Sequence, residues 1–268
     1  MQIQLTQQQG VPFYACDGFS GTAHGFSTRL GGISPTPWDS MNLGSNCGDD
    51  LTNVDENFRR FCRAIGADSA SIVKNHQVHG CRIRHVTADD ILSPPSLPGQ
   101  HDADGLICSQ PGLCLTVFSA DCIPVLLYDP VERVIGAVHA GWRGTALGAV
   151  HRAVLDMISH YGCRSSNILA AIGPGISSCC FETHQDVPDG LRDGLGNEAE
   201  PFIRPLPESG KFSVDLKGAN AHWLRMAGLT DDHIAVSDAC TACDGEHFWS
   251  HRLLGTRRGS MAAMIQLL

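Results

Sequence analysis

The stretch LCLTVFSADCIPVLLYDPVERVIGAVHAGWRGTALGAVHRAVLDMISHYG, Leu113 to Gly162, decides the fold. Three apolar runs, LCLTVFSA, IPVLLYD and RVIGAVHA, are separated by short breaks such as DPVE, and each is too short and too continuously apolar for a one-faced helix. They read as three buried strands, and the segment from Arg143 to Gly162 then predicts a helix of about five turns. An acid and a thiol, Asp121 and Cys122, stand side by side at the entrance of the middle strand. A carboxylate at the edge of an apolar core needs hydrogen-bonding or charged partners, so this pair requires groups from elsewhere in the chain.

Working outward, LTNVDENFRRFCRAIG places apolar residues at Leu51, Val54, Phe58, Phe61, Cys62 and Ile65, one helical face that stops at Gly66. CRIRHV and NILAAIG read as strands, VDLKGANAHWLRMAG as a helix, and GSMAAMIQLL as a last strand or short helix. HGFSTRLGGISPTPWDSMNLGSNCGDD is rich in Gly, Ser, Asn and Pro and reads mostly as loop. Pro and Gly also cluster from Ile91 to Gly105 and from Gly194 to Lys211, which predicts two surface loops within one domain spanning 1–268. The expected architecture is an α/β (α+β) layered sandwich of mixed β-sheets flanked by helices.

Composition narrows the function. A net charge of −9 opposes nucleic-acid binding, which needs a basic face. No apolar run reaches the roughly 18 residues of a membrane span, and the start MQIQLTQQQG has neither the basic nor the apolar part of a signal peptide, so a cytoplasmic protein is expected. Nothing points to an obligate protein partner. The twelve cysteines, scattered over a long chain, are expected to be thiols, most of them buried like Cys108 and Cys114. Cys240-Thr-Ala-Cys243 lacks a second Cys-x-x-Cys and is expected to be a buried structural pair.

Metal-ligating or nucleophilic residues appear where strands end: His76 and His79 in NHQVHG, Cys122 in SADC, and His139 in AVHAGWRG. Two histidines and a cysteine spaced by 43 and 17 residues can meet only in space. Three protein ligands would leave an open position, the catalytic arrangement of zinc. The three-residue spacing of His76 and His79 does not suit one face of a strand, which argues against both binding one ion. In AGWRG the chain turns from strand to helix, so Gly141, Gly144 and Arg143 suggest an anion subsite, with Arg29 of STRLGG as a second ligand. The amides Asn42 and Gln77 can donate and accept at once, which makes them candidate substrate-binding residues.

The set STRLGG, MNLG, QVHG, DADGLI, SADCIPVLLYDP, AVHAGWRG, AIGPGIS, CCFE and CT near FWSHR closely resembles the YfiH/laccase-domain family, once described as polyphenol oxidases. The resemblance runs from about residue 23 to 259. It implies a zinc held by His79, Cys122 and His139, with Asp121 its neighbour in the pocket; zinc-bound water and Asp121 are then the candidate proton sources. It also implies phosphorolysis of purine nucleosides (adenosine, inosine, guanosine and methylthioadenosine) with phosphate as co-substrate, and deamination of adenosine. One branch is linked to hydrolytic editing of peptidoglycan precursors. The chain departs from the pattern at Leu253-Leu254-Gly255, where Arg-Asp-Gly is common, and at Phe181, where Tyr is frequent; both bear on the pocket rim. Copper would suit a Cys-His-His set, but multicopper oxidases also need His-x-His motifs, which are absent. The cytidine-deaminase signature is absent too.

Overall fold

Every residue of β8 (Ile123–Asp129) and β9 (Val134–Ala140) is buried, because each strand has a core on both faces. Ile123, Val125, Leu127, Val134 and Val138 point into one core; Leu126, Tyr128, Ile135 and Ala137 point into another. This two-sided burial is what the continuous apolar runs encode, since successive strand residues face opposite ways. In the computed structural model, which describes residues 1–268, these strands lie in a six-stranded sheet. Its order is β14 (Ile234–Val236), β10 (Leu169–Ile172), β8, β9, β6 (Gly105–Cys108) and β5 (Ile83–His85).

A second six-stranded sheet has the order β1 (Ile3–Gln8), β2 (Val11–Cys16), β3 (Thr22–Ser27), β15 (Met261–Leu267), β7 (Cys114–Ser119) and β4 (Ile72–Val73). Here Ala263, Ile265, Leu115 and Val117 face the other sheet, while Ala262, Met264 and Cys114 face α1 (Leu51–Ile65). The C-terminal segment is therefore a strand, paired to β3 and β7 in the middle of its sheet. Helices α3 (Ala149–Tyr161) and α5 (Leu216–Met226) cover the outer face of the first sheet. The layers run α1, sheet, sheet, α3 with α5, which is the α/β sandwich expected from the sequence. Asp50 caps α1 by accepting from Thr52 N, and Gly66 ends it in a left-handed conformation.

The single helix expected from Arg143 to Gly162 is instead two: α2 (Trp142–Ala146) and α3. The break falls at Gly148, which adopts φ +68°, a conformation that L-residues enter only with strain. Trp223 of α5 fills the corner and donates from Nε1 to Thr145 O at 2.7 Å. Gly148→Ala is expected to lower stability by about 1–2 kcal/mol through left-handed strain, measured as a lower urea midpoint with unchanged slope. An undiminished midpoint would count against this account of the break.

The predicted loop from Gly194 to Lys211 is also more ordered than expected. It contains β12 (Ile203–Leu206), which pairs with β13 (Lys211–Val214), and β13 in turn with β11 (Glu182–Thr183), beside α4 (Asp186–Leu195). The last helix, α6 (His251–Leu254), is a single turn at the edge of the site. No helix is long and apolar enough to cross a membrane.

Candidate active site

Strand register assembles the metal-ligating residues. The DPVE turn pairs β8 with β9 so that Ile123 opposes Ala140 and Pro124 opposes His139, which sets Cys122, one residue before β8, beside the end of β9. β6 pairs with the other edge of β9, Gly105 opposite Val138, and His139 N donates to Asp104 O at 2.7 Å. The loop before β5 brings His79. The donor atoms of His79, Cys122 and His139 all lie within 4.8 Å of one another, and the two imidazole rings stand nearly perpendicular, at 86°. Gly141 makes room for them: a Cβ there would lie 3.0 Å from His79 Cδ2 and 3.2 Å from Cys122 Sγ.

Asp104, from DADGLI, organises the group. Its Oδ1 accepts from His139 Nδ1 at 2.8 Å and from His79 N at 2.9 Å, and its Oδ2 accepts from Gly80 N at 2.7 Å. This fixes the tautomer of His139, leaving Nε2 as its free donor atom, and holds His79 at φ +61°. Burial opposes ionisation of Asp104, yet the hydrogen bonds from His139, Gly80 and His79 hold its carboxyl below the usual value. Burial would likewise raise the Cys122 thiol, but interaction with His139 and His79 lowers it to about 6. Two imidazole nitrogens and a thiolate so close together suit zinc or copper and disfavour the oxygen-seeking magnesium and calcium. The residues present fit the metal that the resemblance implied.

Asp121 has partners that explain its place at the strand entrance. It sits at φ +91°, with Oδ1 accepting from Thr241 Oγ1 at 2.7 Å and Oδ2 from Ser250 Oγ at 3.1 Å and Arg252 N at 2.6 Å. The carboxylate ties the 237–250 loop and the start of α6 to β8. All its hydrogen bonds are ones in which it accepts, so its geometry is that of a tether rather than the proton source expected from the sequence.

His79, Cys122 and His139 line a cavity of about 700 Å³. Lys74, His76, Gln77, His251, Arg252 and Arg258 also line it, as does Phe181, over whose ring Arg252 lies. Gln77 is half committed to structure, since its amide exchanges hydrogen bonds with Phe118 N and O. Three predicted substrate residues fall elsewhere. Asn42 is fully buried, its amide spent on Gly44, Asp49 and Ser260. Arg29 stacks on Trp249 at 3.8 Å and donates to Asp39 O and Gly245 O. Arg143 stacks on Trp142 and lines a smaller cavity of about 430 Å³ that shares only His79 with the first. Gly144, expected to serve an anion, instead allows close packing, because a Cβ would lie 2.8 Å from Gly80 O.

The sequence reading missed Asp104, Lys74 and Arg258. Asp104 carried a signal, an acid directly before an apolar strand, of the same kind that drew attention to Asp121. Lys74 is almost fully buried, its ammonium 5.3 Å and 5.2 Å from the Phe58 and Phe118 rings, and burial lowers it to about 8. Arg258 is half-buried and braced by Gly259 O and Ser260 Oγ.

The fold is a layered α/β sandwich with a His-Cys-His cluster, able to hold a metal ion, in the wall of its larger cavity. The family model for the multi-copper polyphenol oxidoreductase laccase domain matches residues 23–268, and the chain belongs to that family. Among curated relatives, a Geobacillus stearothermophilus protein named purine nucleoside phosphorylase YlmD is 36% identical over 97% of this chain and 96% of its own. A Deinococcus radiodurans purine nucleoside phosphorylase is 37% identical over 91% and 88%. The crystal structure of the Bacillus licheniformis hypothetical protein YfiH superposes with a TM-score of 0.93 at 32% identity, covering 98% of this chain and 99% of that one.

Proposed function

We propose that the protein is a zinc-dependent purine nucleoside phosphorylase of the cytoplasm, with deamination of adenosine as a side activity. The observation that carries this reading is the His79, Cys122 and His139 cluster opening into a cavity walled by Lys74, Arg252 and Arg258. The names of the relatives support the same reaction. Zinc held by these three residues would supply Lewis-acid polarisation of a group at its open position.

In phosphorolysis, phosphate attacks the anomeric carbon as the purine leaves. The site must therefore hold an anion, tolerate a cationic sugar and deliver a proton to the base. Arg258 and Lys74 are the half-buried and buried cations of the cavity, and they take the phosphate role first expected of Arg143 and Arg29. His76, hydrogen-bonded to Asp102 through Nδ1 at 2.8 Å, and His251 are the imidazoles of the wall placed to carry a proton, in place of Asp121.

Metal-loaded protein should release free base and ribose 1-phosphate from adenosine or inosine only when phosphate is present, as resolved by chromatography. Unchanged nucleosides alongside turnover of a muropeptide precursor would overturn the reading in favour of hydrolytic editing. Arg258→Ala should raise the KM for phosphate by about 10-fold or more, the worth of one hydrogen bond to a charged group. Arg143→Ala, measured in parallel, should change it little. The reverse pattern would return the phosphate to the turn before α2.

A further inference from the structure

Cys240 and Cys243 are not the isolated buried pair expected from the sequence. The parallel pairing of β10 with β14 continues past both strands as a bridge between Gly175 and Cys240, and this brings Cys179 and Cys180 against the Cys240–Cys243 turn. The four sulfur atoms all lie within 4.8 Å of one another. Cys179 and Cys180 Sγ are 3.4 Å and 3.3 Å from Cys243 Sγ, and 3.8 Å from each other. Four thiolates held at about 2.3 Å around one tetrahedral zinc are about 3.8 Å apart, so the separations among Cys179, Cys180 and Cys243 equal or fall a little short of those in such a site.

Hydrophobic burial does not account for this gathering, because Cys179 and Cys243 are exposed and all four are free thiols. Hydrogen bonding points to thiolate chemistry instead. Ser177 N donates to Cys240 Sγ at 3.3 Å, so a backbone N–H is already aimed at this sulfur, as at a metal-bound thiolate. The buried Lys217 ammonium, donating to Ser237 O and Ala239 O, places a cation near the same turn, where a tetrathiolate with a divalent ion would carry net negative charge.

We propose that Cys179, Cys180, Cys240 and Cys243 form a second metal site, a closed tetrathiolate zinc site that clamps the two loops behind the cavity wall. Four sulfur ligands and no open position make it structural rather than catalytic. The clamp reaches the cavity through two contacts. Thr241, inside the Cys-x-x-Cys turn, holds Asp121, and Arg252 Nη1 donates to Cys180 O. The 237–250 segment contains no helix or strand, so it is held by side-chain and isolated backbone contacts, to which these tethers and the cysteine cluster add.

This inference is independent of the reaction and is tested by metal content. Purified holoprotein should contain two zinc ions per chain by elemental analysis, and C179S/C243S should contain one. In Cys122→Ala, which leaves the four cysteines intact, the remaining zinc should show an all-sulfur shell at about 2.3 Å by X-ray absorption. That second measurement keeps the proposal exposed even where C179S/C243S fails to fold. Unchanged zinc content in C179S/C243S, a nitrogen-containing shell in Cys122→Ala, iron in place of zinc, or a disulfide among the four found by thiol titration of the protein as purified would each overturn it.

Discussion

Cys122→Ala is expected to cost about one bound zinc per chain and to lower kcat/KM for nucleoside phosphorolysis by about 10³-fold or more, the equivalent of the several kcal/mol a Lewis acid contributes. The thiolate is the one anionic donor of the three, and its loss leaves only two neutral imidazoles to hold a divalent cation. The fold should survive. Cys122 lies just outside β8, and the backbone there is fixed without its side chain, by the Ser119 Oγ bond to Cys122 O at 2.6 Å and by the β8–β9 register. Circular dichroism should therefore be unchanged while activity is lost. Full retention of both zinc and activity would remove Cys122 from the site. Loss of activity with complete unfolding would contradict the claim that the core forms independently of the metal.

The parts of the fold legible in the sequence were those with strong, regular burial. β7, β8 and β9 read as strands because both faces are buried, and α1 because one face is; the wrong length for α3 came from Gly148, a residue that a helix tolerates as easily as it breaks there. The small sheet of β11, β12 and β13 was illegible, since strands of two to four residues are too short to display a period. At the site, Cys122 was visible as an anomaly in an apolar setting. Asn42 and Arg29 were misread for the converse reason: a polar residue in a Gly-rich loop looks available to a ligand, but such loops lack regular backbone pairing, and their own carbonyls and amides consume it. The four-cysteine cluster could not be read at all, because its halves are some sixty residues apart and meet only through the β10–β14 pairing.

Asp104→Asn is expected to weaken zinc binding at the His79, Cys122 and His139 site by about 10- to 100-fold, the usual cost of losing a group that orients a metal ligand. The substitution preserves size, so its effect isolates hydrogen-bond chemistry. Oδ1 of the amide can still accept from His139 Nδ1 and His79 N. The other position, now an NH₂ donor, would face Gly80 N at 2.7 Å and Val78 N at 3.3 Å, donors that Asp104 Oδ2 satisfies. Flipping the amide only moves the conflict to His139 and His79. Each buried donor left without a partner costs about 1–3 kcal/mol, so the metal-free protein should also unfold at lower urea. The loop that carries His79 at φ +61° should loosen with it, since its backbone N–H groups at residues 78, 79 and 80 all converge on this one carboxylate. Competition with a chelator of known affinity measures the first effect, and urea titration without metal the second. Asp102→Ala, which removes the exposed partner of His76, should leave both nearly unchanged and serves as the comparison. Wild-type zinc affinity in Asp104→Asn would mean that His79 and His139 are positioned by the strands alone, and that the carboxylate they share is incidental to the site.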